Sequence, residues 1–222
     1  MIDWLSAIVP FPHTVPINAG NVVSISASGE LDWSVEKCLE VVGSHDSRIR
    51  LKSIHEERFC SHLLIDGNLV KFLQGHNVWG TDDLHGLLTE TLIRILPSFG
   101  FEVSSYFVAR AAWNARLSRI DLTQMFDLGT LDRVQSYIRA AGANVSLSHR
   151  GRGVFSGDTL YWGKRSQRWA LKMYAKGLEL KAHKPRVADS PVYLEAVTTF
   201  ADRALRVELV LRGKELKESD RY

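Results

Sequence analysis

Only two cysteines, Cys38 and Cys60, occur in 222 residues, and they do not form a Cys-x-x-Cys pair. That excludes Cys-x-x-Cys chemistry and fits two reduced, structural thiols in a cytoplasmic setting. No apolar run reaches the roughly 18–20 residues that a membrane span requires. The amino terminus carries Asp3 and no basic stretch ahead of an apolar one, which speaks against a secretory signal. No Gly-x-x-x-x-Gly-Lys-[Ser/Thr] occurs, so any ATP hydrolysis is expected to belong to a partner. Internal repeats, low-complexity tracts and His-x-His are also missing. The net charge of +3 is too small to imply a nucleic-acid partner by itself.

What is present is an ordinary globular composition, 45% hydrophobic and 24% charged. The length suits one or two domains; we expect one, spanning residues 1–222, with a weak subdivision near 36–47. Charge is unevenly spread. Between Arg150 and Arg186 ten basic residues face only Asp158 and Glu179, a window of +8 against −5 for the remainder. Arg150, Arg152, Lys164, Arg165 and Arg168 form the footprint that a polyanion needs, although a solvated basic loop has the same composition. Phe155, Tyr161, Trp162 and Trp169 interleave with them, as stacking platforms for unpaired bases or as core.

Strands are expected over Trp4–Val9, Val22–Ala27 and Arg48–Ser53, with a hairpin over Ser61–Leu73 turning at Asp66-Gly67-Asn68. Apolar spacing predicts helices over Thr81–Leu96, capped by Thr81, and over Thr130–Ala141, stopped by Gly142. A third opens at Ser190-Pro191 and runs toward Ala201. Gly142–Gly157 reads as a loop. From Arg119 onward the order is strand, helix, strand, strand, helix, strand. This predicts the α+β class, a mostly antiparallel β-sheet with helices packed on one face.

Three of these strands isolate polar groups. In Trp169–Leu180, Leu171, Met173 and Ala175 alternate with Lys172, Tyr174 and Lys176. A tyrosine flanked on its own face by two ammonium groups is suited to attack a phosphodiester, since nearby positive charge favours the phenolate. The plain alternative is an amphipathic strand with a surface tyrosine. Arg119–Thr123 and Arg206–Arg212 set single carboxylates, Asp121 and Glu208, among arginines. If the three strands share a sheet, its polar face offers the oxygens that Mg²⁺ or Mn²⁺ prefers; each strand alone also reads as an Arg–carboxylate pair in water. His76, in Gln74-Gly-His-Asn77, could ligate a metal, orient phosphate or bridge loop carbonyls. Glu179 falls on the opposite face of a regular strand from Tyr174 and receives no role. Gly75 and Gly80 read as turn residues.

Several segments carry a family resemblance: Lys71-Phe-Leu-Gln-Gly-His-Asn-Val-Trp-Gly-Thr-Asp-Asp-Leu84, Ser118-Arg-Ile-Asp-Leu-Thr123, the Tyr174 segment, Arg206-Val-Glu208 and the opening Met-Ile-Asp. The chain resembles the gene II replication initiation proteins of filamentous bacteriophages, in their amino-terminal catalytic part. Thr159-Leu-Tyr-Trp-Gly163 and Lys172–Glu179 are also similar to a class of plasmid rolling-circle initiators.

The resemblance implies an HUH-endonuclease-like, rolling-circle initiator architecture and metal-dependent nicking and strand transfer through a 5′-phosphotyrosyl link. It puts the nucleophile on Tyr174, with Lys176 assisting at the phosphorus or the leaving oxygen. Because the His-hydrophobe-His of the best-known nicking enzymes is missing, the metal would be held mainly by Asp121 and Glu208, with His76 as a further candidate. Arg119 and Lys172 join the basic segment as expected DNA contacts. The expected partners are origin DNA, single-stranded, hairpin or supercoiled, together with a host helicase and polymerase in the bacterial cytoplasm. The competing readings are a non-catalytic origin- or operator-binding protein and a single-strand-binding module.

Overall fold

The computed structural model describes residues 1–43, 46–56, 59–183 and 191–219. The chain begins with β1 (Ile2–His13), the ribbon β2 (Asn21–Ile25) and β3 (Leu31–Glu36), then β4 (Leu39–Val42), β5 (Arg48–Glu56) and β6 (Phe59–Gly67). Three helices follow, α1 (Leu69–Gln74), α2 (Leu84–Ile95) and α3 (Ser105–Trp113), and then the long strand β7 (Arg116–Asp127). After α4 (Leu131–Asn144) come the short β8 (Ser146–Leu147), β9 (Gly151–Arg152) and β10 (Val154–Ser156), then β11 (Thr159–Trp162) and β12 (Trp169–Ala175). The chain closes with α5 (Lys176–His183), α6 (Pro191–Asp202), β13 (Ala204–Arg212) and α7 (Gly213–Ser219).

Nine strands form one sheet in the order β10-β11-β12-β13-β7-β1-β6-β5-β4. Every pairing in it is antiparallel. This is the α+β class expected from the order of elements. The interval 36–47 contains β4, which pairs with β5 at one edge of this same sheet.

One face of the sheet is apolar. Leu5, Ala7 and Val9 of β1, Ile49 and Leu51 of β5, and Leu63 and Ile65 of β6 pack against Leu69, Leu88, Leu92 and Val108 of α1–α3. Further along, α4 lays Val134 and Ile138 on Leu160, Trp162, Ala175 and Leu205. Each such fully buried large side chain contributes about 1.5–3 kcal/mol of transfer free energy. The opposite face is polar over β1, β7, β13 and β12. It is not left open throughout: α5 and α6 come round to it, where Leu180, Val197 and Ala201 pack with Val78 and Met125. Met125 is the cross-strand neighbour of Arg206, so this helical pair walls one end of the polar face.

Several local expectations are corrected. Asp66-Gly67-Asn68 does not turn a hairpin; Asn68 caps α1 instead, its side chain accepting from Lys71 N at 2.8 Å. A capping amide directly before an apolar run of helical spacing outweighs the Asp-Gly turn signal. Asp83 rather than Thr81 caps α2, accepting from Gly86 N at 2.9 Å. Thr130 does cap α4, but Gly142 does not stop it, because the helix runs on to Asn144. The Gly142–Gly157 stretch is not one loop; it holds the end of α4, the β8–β9 ribbon and β10. The strand expected over Trp169–Leu180 ends at Ala175 and becomes α5. Pro191 opens α6; its expected partner Ser190 lies outside the described residues, as do Lys184 and Arg186 of the basic window.

Candidate active site

Register brings the three polar strands together. Lys172 lies opposite Glu208 and Tyr174 opposite Arg206 in the β12–β13 pair, while Glu208 lies opposite Thr123 and Val210 opposite Asp121 in β13–β7. Residues opposite one another in an antiparallel pair project to the same face. Tyr174, Lys172, Glu208 and Asp121 therefore line one cavity of about 460 Å³, together with Asp3, Asn77, Arg119 and Glu179. The convergence that alternation alone suggested is present.

Asp121 and Glu208 are each only 1% exposed. The Arg119 guanidinium grips Asp121 with two bonds, Nε to Oδ1 at 2.7 Å and Nη2 to Oδ2 at 2.6 Å, and lies 5.1 Å from the Trp4 ring. Lys172 Nζ pairs with Glu208 Oε1 and stands 3.9 Å from Asp121 Oδ2. The Tyr174 hydroxyl donates to Glu208 Oε2 at 3.2 Å. Burial, opposed in part by the Lys172 charge and joined by the neighbouring Asp3 and Asp121 carboxylates, pushes the Glu208 carboxyl up to about 7.

Behind this row lies a second, almost solvent-free layer. Arg206 is fully buried; its Nη2 meets Asp3 Oδ1 at 2.6 Å and its Nη1 donates to the Asn77 carbonyl at 2.6 Å. Asp3 also accepts from the side-chain amides of Asn68 and Asn77, both at 2.7 Å. Asp3 reaches this face through an irregularity. The β1–β7 register slips between Ile2 and Trp4, a bulge that lets Asp3 leave the side of Leu5 and Ala7. Lys176, the first residue of α5, is fully buried, donates to Asn77 Oδ1 at 2.7 Å and pairs with Glu179 one helical turn on. Burial and the nearby Arg206 charge lower its amine to about 8, against the pull of Glu179.

The electrostatics revise one expectation. Tyr174 is not biased toward phenolate: burial holds its hydroxyl well above the usual tyrosine value, and Arg206 opposes this only in part. The two lysines meant to favour the phenolate are engaged elsewhere, Lys172 by Glu208 and Lys176 by Glu179. Deprotonation must come from an acceptor at the hydroxyl, and Glu208 Oε2 is in that place.

The other candidate residues divide. His76 is fully buried, but its Nε2 meets the Tyr193 hydroxyl at 2.7 Å and its Nδ1 accepts from Val78 N at 3.3 Å. It does not line the carboxylate cavity, and no cluster of three or more His, Cys, Asp or Glu with metal-binding geometry occurs among the described residues. Arg150 stacks on Trp169 at 4.3 Å and donates to Ser166 Oγ at 3.0 Å, while Arg168 pairs with Glu215 at 3.0 Å. Both help to shape the basic loop. Arg152, Lys164 and Arg165 are exposed. Of the interleaved aromatics, Trp162 is core, whereas Phe155 is 47% exposed. Sequence reasoning passed over Asp3, Asn77, Arg206 and Glu179. The bulge hid Asp3, and the strand-to-helix change at Lys176 hid Glu179, which one helical turn returns to the site.

A nine-stranded antiparallel sheet that sets a tyrosine, two buried carboxylates and their cations on one polar face defines an α+β class with the parts for chemistry on a phosphodiester. The profile of the amino-terminal part of the phage replication-associated protein, the gene II product, matches residues 1–221, and the chain belongs to that family. It is 35% identical over 223 residues to the replication-associated protein of the same name from Enterobacteria phage I2-2, covering 98% of this chain and 64% of the relative. The chain thus spans a little under two thirds of that relative's length. Among solved structures, a rolling circle replication initiator protein from Geobacillus stearothermophilus aligns over 99% of this chain and 78% of its own, at a TM-score of 0.40 and 11% identity.

Proposed function

We propose that this chain is the nicking and strand-transfer part of a rolling-circle replication initiator. One observation carries the reading: the Tyr174 hydroxyl donates to a buried carboxylate, Glu208, within the same cavity as Asp121. In the proposed step Tyr174 Oη bonds to the scissile phosphorus and its proton passes to Glu208 Oε2. The bond from phosphorus to the 3′-oxygen breaks, leaving a 3′-hydroxyl for a host polymerase to extend and a 5′-phosphate on the tyrosine. Because the phosphotyrosyl ester keeps the energy of the original bond, a later 3′-hydroxyl can reverse the step without ATP. Membership in the replication-associated family supports origin DNA as the substrate, with a host helicase supplying strand separation.

Asp121 and Glu208 would hold Mg²⁺ or Mn²⁺. Two neighbouring buried carboxylates, one of them pushed up to about 7, form a site whose charge a divalent cation would relieve, and Mg²⁺ commonly uses one or two carboxylates with water and phosphate. Such an ion neutralises charge on the phosphate as the transition state develops. Arg119 orients Asp121, and Lys172 stands between the carboxylates and an incoming phosphate. Lys176 does not line the cavity and works through Glu179 and Asn77, which do. Arg152, Lys164 and Arg165 supply exposed charge for the strand's phosphates, joined by Arg150 and Arg168 in the same loop.

Supercoiled plasmid carrying the cognate origin, incubated with protein and Mg²⁺ and run on a denaturing gel, tests this. Wild type should yield a nick and a covalent protein–DNA band. Tyr174→Phe should lose both, by at least about a thousandfold, while still retarding the DNA. Cleavage that persists in Tyr174→Phe would overturn the assignment and favour a binding protein whose nicks come from elsewhere.

A further inference from the structure

A second cavity, of about 340 Å³, adjoins the carboxylate cavity and shares with it the wall made by Lys172, Tyr174 and Glu179. Its other side is built by Asp158, Thr159 and Tyr161. Tyr161 lies directly opposite Lys172 in the β11–β12 pair, so its ring stands on the same face of the sheet as Tyr174. The Lys164 ammonium, 5.1 Å from the Tyr161 ring centre and bonded to Ser156 Oγ at 2.6 Å, adds positive charge at the rim. Asp158 sits in the two-residue turn joining β10 and β11, which places its carboxylate at the cavity mouth.

The charge pattern indicates what this space is for. The basic segment from Arg150 to Arg186 contains only two acidic residues, Asp158 and Glu179, and both line this one cavity. A carboxylate beside a phosphate backbone weakens binding, so acidic groups here do not serve the phosphates. They do match a base edge, since a carboxylate accepts from an exocyclic amine. The size is that of a single small ligand, at the lower end of the roughly 300–1,000 Å³ of ligand pockets. A tyrosine ring and the apolar Leu178 supply a stacking wall.

We infer that this cavity takes the base of the nucleotide next to the scissile phosphate, with Tyr161 stacking on it and Asp158 selecting a base that carries an exocyclic amine. Cytosine, adenine and guanine satisfy that carboxylate; thymine, which presents no amine, does not. The inference rests on the proposed role of Tyr174, because that residue forms the wall between the two cavities.

The test has two arms. In the first, ¹⁵N-labelled full chain is titrated with dCMP, dAMP, dGMP and dTMP, a measurement that needs no cleavage. The amine-bearing nucleotides should shift the backbone amides of Asp158 to Tyr161, with dTMP at least tenfold weaker. Asp158→Asn, in an exposed turn, should erase that discrimination, and Tyr161→Ala should weaken all four. Shifts confined to other regions, or equal binding of dTMP, would overturn the inference. In the second arm a single-stranded library with randomised bases is cut and sequenced. Thymine should be disfavoured at one position beside the cut in wild type and accepted there by Asp158→Asn. An unchanged preference would overturn the inference. If wild type cuts nothing while the mononucleotides still bind at Tyr161, the nicking reading fails and the base pocket survives.

Discussion

Tyr174 is buried beside Arg206 and donates its proton to Glu208, so the reactive oxygen is set by two neighbours on the adjacent strand rather than by the lysines flanking it in sequence. The Asp3–Arg206 pair beneath it has almost no contact with water. Removing one member leaves a buried charge uncompensated, and Asp3→Ala should cost about 3–5 kcal/mol in urea unfolding. A loss below about 1 kcal/mol, the range of an exposed pair, would contradict this packing. Glu208 makes a pH-dependent prediction. Its folded carboxyl titrates near 7, above its ordinary value, so the fold favours the protonated form. That contribution is fully present below the ordinary carboxylate range and is lost as pH rises through about 7. In metal-free buffer Glu208→Gln, which cannot ionise, should therefore gain on wild type between pH 5 and pH 8, by on the order of 2 kcal/mol. Thermal melts at the two pH values check it, and an unchanged difference would contradict it.

At the scale of elements, the strands that carry the site were legible because alternation is strict in them. Arg119, Asp121 and Thr123 in β7, and Arg206 and Glu208 in β13, all lie on the face that period two assigns them. What was hidden lay where the period breaks. The bulge in β1 moves Asp3 across the sheet, and the change from period two to 3.6 at Lys176 moves Glu179 to the site. Neither break has a composition signal, since Lys176-Gly-Leu-Glu continues a plausible strand as well as a helix. Gly177 is the one local clue. A Cβ there would lie 2.6 Å from the Asp202 Cα and 3.0 Å from its backbone nitrogen, so α5 starts where it does only because no side chain intervenes. Gly177→Ala should destabilise the fold by about 1–3 kcal/mol through overpacking, and slow nicking through displaced Lys176 and Glu179. Full activity and an unaltered melting temperature would show that the contact between α5 and the end of α6 is loose.

For the whole molecule, one sheet does two jobs: its apolar face anchors α1–α4, while its polar face gathers charges that would be costly to bury singly. The basic loop between β9 and β12 stands at the edge of that face, so DNA held there would pass across Tyr174. Binding should weaken steeply with salt, as phosphate contacts do. Chelation of divalent ions should stop nicking but leave this binding in place, and chelated protein that still nicks would remove the metal from the mechanism. The convergence of Tyr174 with Glu208 and Asp121 is tested most directly by mass spectrometry of the covalent product after nuclease trimming and proteolysis. A nucleotide-sized mass addition should fall on Tyr174. An addition on Tyr161 or another residue, or cleavage with no adduct at all, would contradict it.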